Sequence, residues 1–173
     1  MVVLVVMKIY HLKQTQFLPI TQSDAWDFFS SPKNLSVITP QKMNFKILSM
    51  SGGEKMFAGQ IIRYKVNVLP LVRVHWITEI TNVDKPDYFT DEQRLGPYAL
   101  WHHKHHFKSV EGGIEMTDEV EYAMPLGFIG RLAHWLFVGK EVSAIFGYRN
   151  KVLKDIFKAS LKTPPYLLRL EKN

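Results

Sequence analysis

Hydrophobic and polar positions alternate with a period of two through most of the first 125 residues, and with a helical period beyond them. The first alternating stretch, Lys8 to Leu18, reads as a strand ended by Pro19. Ser23 is placed to cap a helix that carries Trp26, Phe28 and Phe29 and stops near Ser31-Pro32. A second short helical turn, Lys33 to Ile38, ends before Pro40. Six strands are predicted next: Lys42–Met50, Phe57–Val68, Val72–Val83, Tyr88–Leu95, the stretch around Trp101–Phe107, and Ile114–Met124. The links between them are Gly52-Gly53, Leu69-Pro70, Lys85-Pro86-Asp87, Gly96-Pro97 and Gly112-Gly113, residues that break a ladder and favour turns. Links this short make an antiparallel meander. One long helix follows Pro125-Leu126-Gly127 and runs to about Ser160, because Thr163-Pro164-Pro165 cannot continue it. At 100° per residue, Val142, Ile145, Phe146, Val152, Leu153, Ile156 and Phe157 share an arc of about 140°, the stripe of a helix laid on a sheet. The expected fold is α+β: a curved, seven-stranded antiparallel sheet gripping one long C-terminal helix, with two short helices between strands one and two.

The densest chemistry lies in Trp101-His102-His103-Lys104-His105-His106-Phe107. On a strand, Trp101, His103, His105 and Phe107 share one face, and His102, Lys104 and His106 share the other. A two-residue Gly112-Gly113 loop would pair Trp101 with Met124, His103 with Tyr122 and His105 with Val120, and set Phe107 beside Asp118. It would also pair Lys104 with Glu121 and His106 with Glu119 on a solvated outer face. The first face is mainly apolar and should point inward, which leaves two histidines and an aspartate among hydrophobic groups, where unpaired polar atoms are costly. A pocket with a polar floor is the expected result.

Arg149 is the second outlier, a charge near the centre of the apolar helix face, and it needs a partner or a cavity mouth. Asp118 and Asp91 are its candidate partners. Asp91 shares a face with Phe89, Gln93 and Leu95, although a strict two-residue loop at Gly96-Pro97 would turn it outward. Trp76, Tyr64, Trp101, Tyr122 and Trp135 are candidates for an aromatic lining, or for plain packing. His103 and His105 can be read as ligand-binding or acid–base groups, as an inert network satisfied by Tyr122, Asp118 or water, or as two ligands of a metal whose remaining ligands the sequence does not name.

Composition narrows the classes further. The chain has 173 residues, enough for one domain with a sizeable core, expected over 8–160 between an extension or extra start at 1–7 and a tail at 161–173. Met1-Val-Val-Leu-Val-Val-Met7 is too short to span a bilayer and lacks a basic leader, so Met7 competes with Met1 as the start. With no cysteine, disulfides and thiolate metal sites are excluded, and a cytoplasmic location is expected. The net charge of +6 is spread along the chain apart from a basic stretch after Arg149, without the stripe or motif of a nucleic-acid reader. No Ser-His-Asp order, phosphate-binding loop or nucleotide fingerprint is present.

The order of elements, with Gly96-Pro97, Trp101-x-His103-x-His105-x-Phe107, Asp118-x-Val120-x-Tyr122, Pro125-Leu126-Gly127 and Phe146-Gly147-Tyr148-Arg149, resembles the START-like, helix-grip superfamily. That group includes the birch-pollen allergen, the lipid-transfer START domains and the polyketide cyclase/dehydrase proteins, and the motifs are most similar to its bacterial SRPBCC branch. The resemblance implies a small hydrophobic molecule or lipid held between sheet and long helix, with no metal or cofactor required. Trp76, Asp91, Trp101, His103, His105, Asp118, Tyr122 and Arg149 are then the candidate binding residues. A cyclase- or dehydrase-type enzyme using His103 or His105 as general acid/base is the alternative. A regulatory protein whose basic long helix meets a membrane or partner ranks behind both.

Overall fold

A computed structural model of the chain describes residues 7–69 and 72–162, with the side chains of the last helix described to residue 158. The apolar start before Met7, the Pro70 turn and the Thr163-Pro164-Pro165 tail lie outside the described residues. Seven strands form one antiparallel sheet: β1 (Ile9–Leu18), β2 (Lys46–Met50), β3 (Ile61–Leu69), β4 (Val72–Asp84), β5 (Tyr88–Leu95), β6 (Leu100–Val110) and β7 (Gly113–Ala123). Their spatial order is β1-β7-β6-β5-β4-β3-β2, the expected meander with the first strand returned beside the last. Breaks of register in the β2–β3, β3–β4 and β4–β5 pairs mark bulges, which bend and twist a sheet.

Between β1 and β2 stand helix α1 (Gln22–Phe29) and two 3-10 turns, Pro32–Ser36 and Gln41–Met43. α1 is capped by Thr21 rather than Ser23: Thr21 Oγ1 accepts from the Asp24 backbone N–H at 3.1 Å. Ser23 is already inside the first turn, so its hydroxyl has no free N–H ahead of it. β2 starts at Lys46, later than its alternation suggests, because the turn at Gln41–Met43 ends on Asn44 in the left-handed region. β3 starts at Ile61 because buried Gln60 spends its side-chain amide on the loop, donating to the carbonyls of Ser51 and Gly53.

The closing helix is continuous from Gly127 but not uniform. An α-helical start, α2 (Gly127–Ala133), passes through a π turn at His134–Val138 into α3 (Gly139–Lys162). Val142, Phe146, Leu153 and Phe157 of the expected stripe are buried against the sheet side, and Arg149 is buried with them. One end of the core packs Trp26 and Phe29 of α1 with Phe89, Phe107, Leu153 and Phe157. The other end gathers Tyr64, Trp76 and Ile80 of the outer strands.

The β6–β7 hairpin corrects the expected register. Its turn is Glu111-Gly112, and Gly113 already pairs with Val110. Gly112 takes a φ of 76°, which the turn requires, while a side chain at Gly113 would lie 2.3 Å from the Leu18 carbonyl oxygen on β1. The pairing slides by two residues, so every side chain keeps its face and every partner changes. Trp101 now faces Tyr122, His103 faces Val120, His105 faces Asp118, and Phe107 faces Met116. On the outer face Lys104 meets Glu119 and His106 meets Thr117, in place of Glu121 and Glu119.

Candidate functional site

Three neighbouring strands bring four charged or titratable groups to one spot. Cross-strand pairing sets Asp91 of β5 opposite His103 of β6, and Asp118 of β7 opposite His105. The hydrogen bonds run along the diagonals: His103 Nε2 to Asp118 Oδ1 at 3.0 Å, and His105 Nε2 to Asp91 Oδ2 at 3.0 Å. The remaining ring nitrogens face the other carboxylate. His103 Nδ1 is 3.5 Å from Asp91, and His105 Nδ1 is 2.9 Å from Asp118, outside hydrogen-bond geometry and so an electrostatic contact. Arg149 reaches across from α3 and donates to Asp118 Oδ1 at 3.4 Å. Asp91 thus points inward; the connection Gly96–Ala99 exceeds a two-residue turn, and a bulge at Ile80–Asn82 resets the strand beside it.

Electrostatics drives these groups apart. Burial raises the cost of ionising Asp118, but the Arg149 charge and the two imidazoles outweigh it and hold the carboxyl well below its usual range. Burial likewise opposes ionised Asp91, and the His105 hydrogen bond with both imidazole charges keeps its value lowered. Burial and the neighbouring His105 charge push His103 down to about 4, against its bond to Asp118. For His105 burial also opposes the cation, yet the contacts with Asp118 and Asp91 win and its value rises. The two carboxylates are therefore held as anions by Arg149 and by a His105 shifted toward its cationic form, while His103 is neutral near neutral pH. An ionised carboxylate only accepts, so His103 carries its hydrogen on Nε2 and leaves Nδ1 as a lone pair.

Above this cluster, between sheet and helix, lies a cavity of about 390 Å³. Asp91, His103, His105 and Arg149 sit on its wall with Trp76 and Trp101. Asp118 and Tyr122 do not reach the lining: Asp118 anchors the histidines from behind, and Tyr122 packs beside Tyr10, Trp101 and His134. Trp135 is three-quarters exposed and far from an inner lining role. The rest of the wall is almost wholly apolar, with Ile62, Val66, Ile80, Phe89, Val142, Ile145 and Phe146 among its members. One buried donor on this wall, Trp76 Nε1, has no partner among the described residues.

Tyr64 lines the wall as the sequence had offered, but Tyr98 and the partner of the Tyr64 hydroxyl were not legible. Tyr98 packs on Trp76 and Trp101, fixed by Gln93, whose amide donates to the Tyr98 carbonyl at 2.7 Å and accepts from its N–H at 3.2 Å. Tyr64 and Thr78 share a buried hydroxyl–hydroxyl bond of 3.0 Å, and burial raises the Tyr64 value far above the ordinary phenol. Alternation had placed Gln93 on the inward face, which is the signal that it would need a backbone partner there. As for a metal, donor atoms of Asp91, His103 and His105 lie within 4.8 Å of one another. Two nitrogens and one oxygen could hold a divalent first-row cation, with Asp118 orienting both imidazoles from behind. In the arrangement observed His105 Nε2 and Asp91 Oδ2 are hydrogen-bonded to each other, while His103 Nδ1 makes no hydrogen bond to the carboxylate it faces.

No family model matches the chain, and no curated protein matches it. Solved structures do. Protein Ms6760 from Mycobacterium smegmatis superposes with a TM-score of 0.63 at 15% identity, covering 90% of this chain and 98% of that one. Norcoclaurine synthase from Thalictrum flavum, in complex with dopamine and hydroxybenzaldehyde, gives 0.59 at 14% identity over 85% and 87%. The di-domain ARO/CYC StfQ of the steffimycin biosynthetic pathway gives 0.68 at 10% identity, over 90% of this chain and 52% of its own. At such identities the likeness is one of architecture: the chain has the helix-grip fold of the START-like proteins.

Proposed function

We propose that the protein encloses a small hydrophobic molecule carrying a polar end, held in the cavity between the sheet and the closing helix. The observation that carries this reading is the shape and chemistry of one space: about 390 Å³, within the range of small-molecule sites, apolar around most of its wall and polar at one end. Arg149 and the orphaned Trp76 Nε1 offer donors there, and Asp91 with His103 Nδ1 offers acceptors. A neighbour whose name places two small aromatic molecules in the same fold supports it. Native mass spectrometry of the purified protein, with displacement of anilinonaphthalene sulfonate by fatty acids and aromatic acids, tests it. Retained ligand or probe binding that Ile145→Trp abolishes is expected. A protein that holds nothing and binds no probe would sink the reading.

One observation favours an enzymatic use of the same space. His103, neutral, and His105, shifted toward its cationic form, lie side by side on the cavity wall, an arrangement that could move a proton on a bound carbonyl compound. Exchange of the acidic C–H of a hydrophobic 1,3-diketone in deuterated water should then be accelerated by the protein. His103→Ala should remove the acceleration while leaving probe binding in place. An unchanged exchange rate in that variant would return the histidines to a purely binding or structural role.

A further inference from the structure

The first three turns of the closing helix turn large apolar side chains toward solvent. Leu126, Phe128 and Trp135 expose 70% to 75% of their surface, Ile129 64%, Leu136 53% and Leu132 44%. A contiguous display on this scale is rare on a surface that meets only water. The chain enters it through Leu126 at a φ of 63°, a left-handed conformation unfavourable for a residue with a Cβ, so an apolar side chain is presented outward at a cost.

Charge says what covers this face. From Met124 to Lys140 there is no aspartate or glutamate, while Arg131 and Lys140 lie within the stretch. Lys8 joins them from just before β1: among the described residues, the shallow groove beside Trp135 and His134 is lined by Lys8, Arg131 and Lys140 and by no acid. An apolar band of aliphatic and aromatic groups with an exposed tryptophan and a basic margin fits the boundary between the headgroups and acyl chains of an anionic bilayer. Among the described residues no helix is long and apolar enough to cross a membrane, so the contact proposed is in the plane of the interface. We propose that Leu126–Leu136 is a docking face for membranes bearing anionic lipids. The sequence had offered the basic long helix as a membrane contact; the structure moves it to the segment before α3.

The same segment has a second side. Ala133, between the docking residues, and Phe137 and Val138, directly after them, form part of the cavity wall. The π turn at His134–Val138 is held to the sheet by Tyr122, whose hydroxyl is 2.9 Å from His134 Nε2, and by Tyr10 stacked on the His134 ring. A docked protein would therefore have one wall of its cavity on the lipid. Docking itself does not depend on what the cavity holds.

Co-sedimentation of the full chain with vesicles tests the inference, using phosphatidylserine and phosphatidylcholine in equal parts, and phosphatidylcholine alone. Binding to the anionic vesicles at low salt is expected to be at least about tenfold the stronger, with a blue shift of tryptophan emission that Trp135→Phe removes. Phe128→Asp with Trp135→Asp, and Arg131→Glu with Lys140→Glu, should each lower it about tenfold or more. All four side chains are exposed, so unchanged circular dichroism and melting serve as the fold control. No binding by the natural chain, or equal binding by both double variants, overturns the proposal. So does a dimer in solution that the Phe128/Trp135 variant dissolves while vesicles stay unbound, since a second copy would then be the occupant. Probe binding in the cavity is scored separately: retained with vesicle binding absent, it leaves the cavity reading standing and removes this one.

Discussion

His103 and His105 are the same residue type two positions apart on one strand face, and their surroundings drive them in opposite directions. The consequence is a shape for the stability profile. The His105 value is raised on folding, so its contribution is fully present below the unfolded value of about 6.5 and is lost as pH rises through the folded one. The His103 value is lowered to about 4, so its penalty is absent above about 6.5 and grows as pH falls toward 4. The partly buried His106 and His134, both lowered by burial, add to the acid side. Chemical denaturation from pH 4 to 9 should give a maximum near pH 6.5, with losses on both sides, and proton–carbon NMR should show one imidazole charged above its ordinary value and another neutral down to about pH 4. A profile that rises steadily from pH 6 to 9 would contradict the assignment of the charged member.

At the scale of elements, the β6–β7 hairpin decides the site. A slide of two residues leaves every face intact, yet it moves Asp118 from beside Phe107 to directly opposite His105, and so closes the four-membered cluster. Gly113 guards this arrangement, because a Cβ there would meet the Leu18 carbonyl oxygen and the Phe17 ring, at 2.3 and 2.9 Å. Gly113→Val should push β1 off the sheet edge and lower stability by about 2 kcal/mol, read from urea denaturation. It should also loosen the end of the β1–β7 ladder next to the substitution, where Leu18 pairs with Ile114, in amide hydrogen exchange. Unaltered exchange at Leu18 would show that β1 does not feel the substitution. The sequence marked the turn by its two glycines but not which of them made it; only the neighbouring strand tells them apart, since one needs a positive φ and the other needs to have no side chain.

Across the whole molecule, the alternation of apolar and polar residues was enough to give the order of elements, the sheet's meander, the gripping helix and the inward face of the histidine strand. These are consequences of local period and of turn residues, which act over a few positions. That Arg149 needs a partner was also legible, because a charge on an apolar stripe must find one; the sequence offered Asp118 and Asp91, and the structure pairs it with Asp118. What the sequence left open depended on distances between segments far apart in the chain. Whether Asp91 faces in or out turned on a bulge in β4, Tyr122 proved to sit beside the cavity, and Trp135 faces solvent although its helix neighbours line an inner wall. Periodicity fixes which residues share a face, whereas tertiary packing decides which strand lies opposite, how far a helix stands from the sheet, and which apolar residues are left uncovered. The sequence implied a pocket with a polar floor, but its volume and the residues that line it, like the exposed face before α3, are results of that second kind, because they depend on how closely segments far apart in the chain come together.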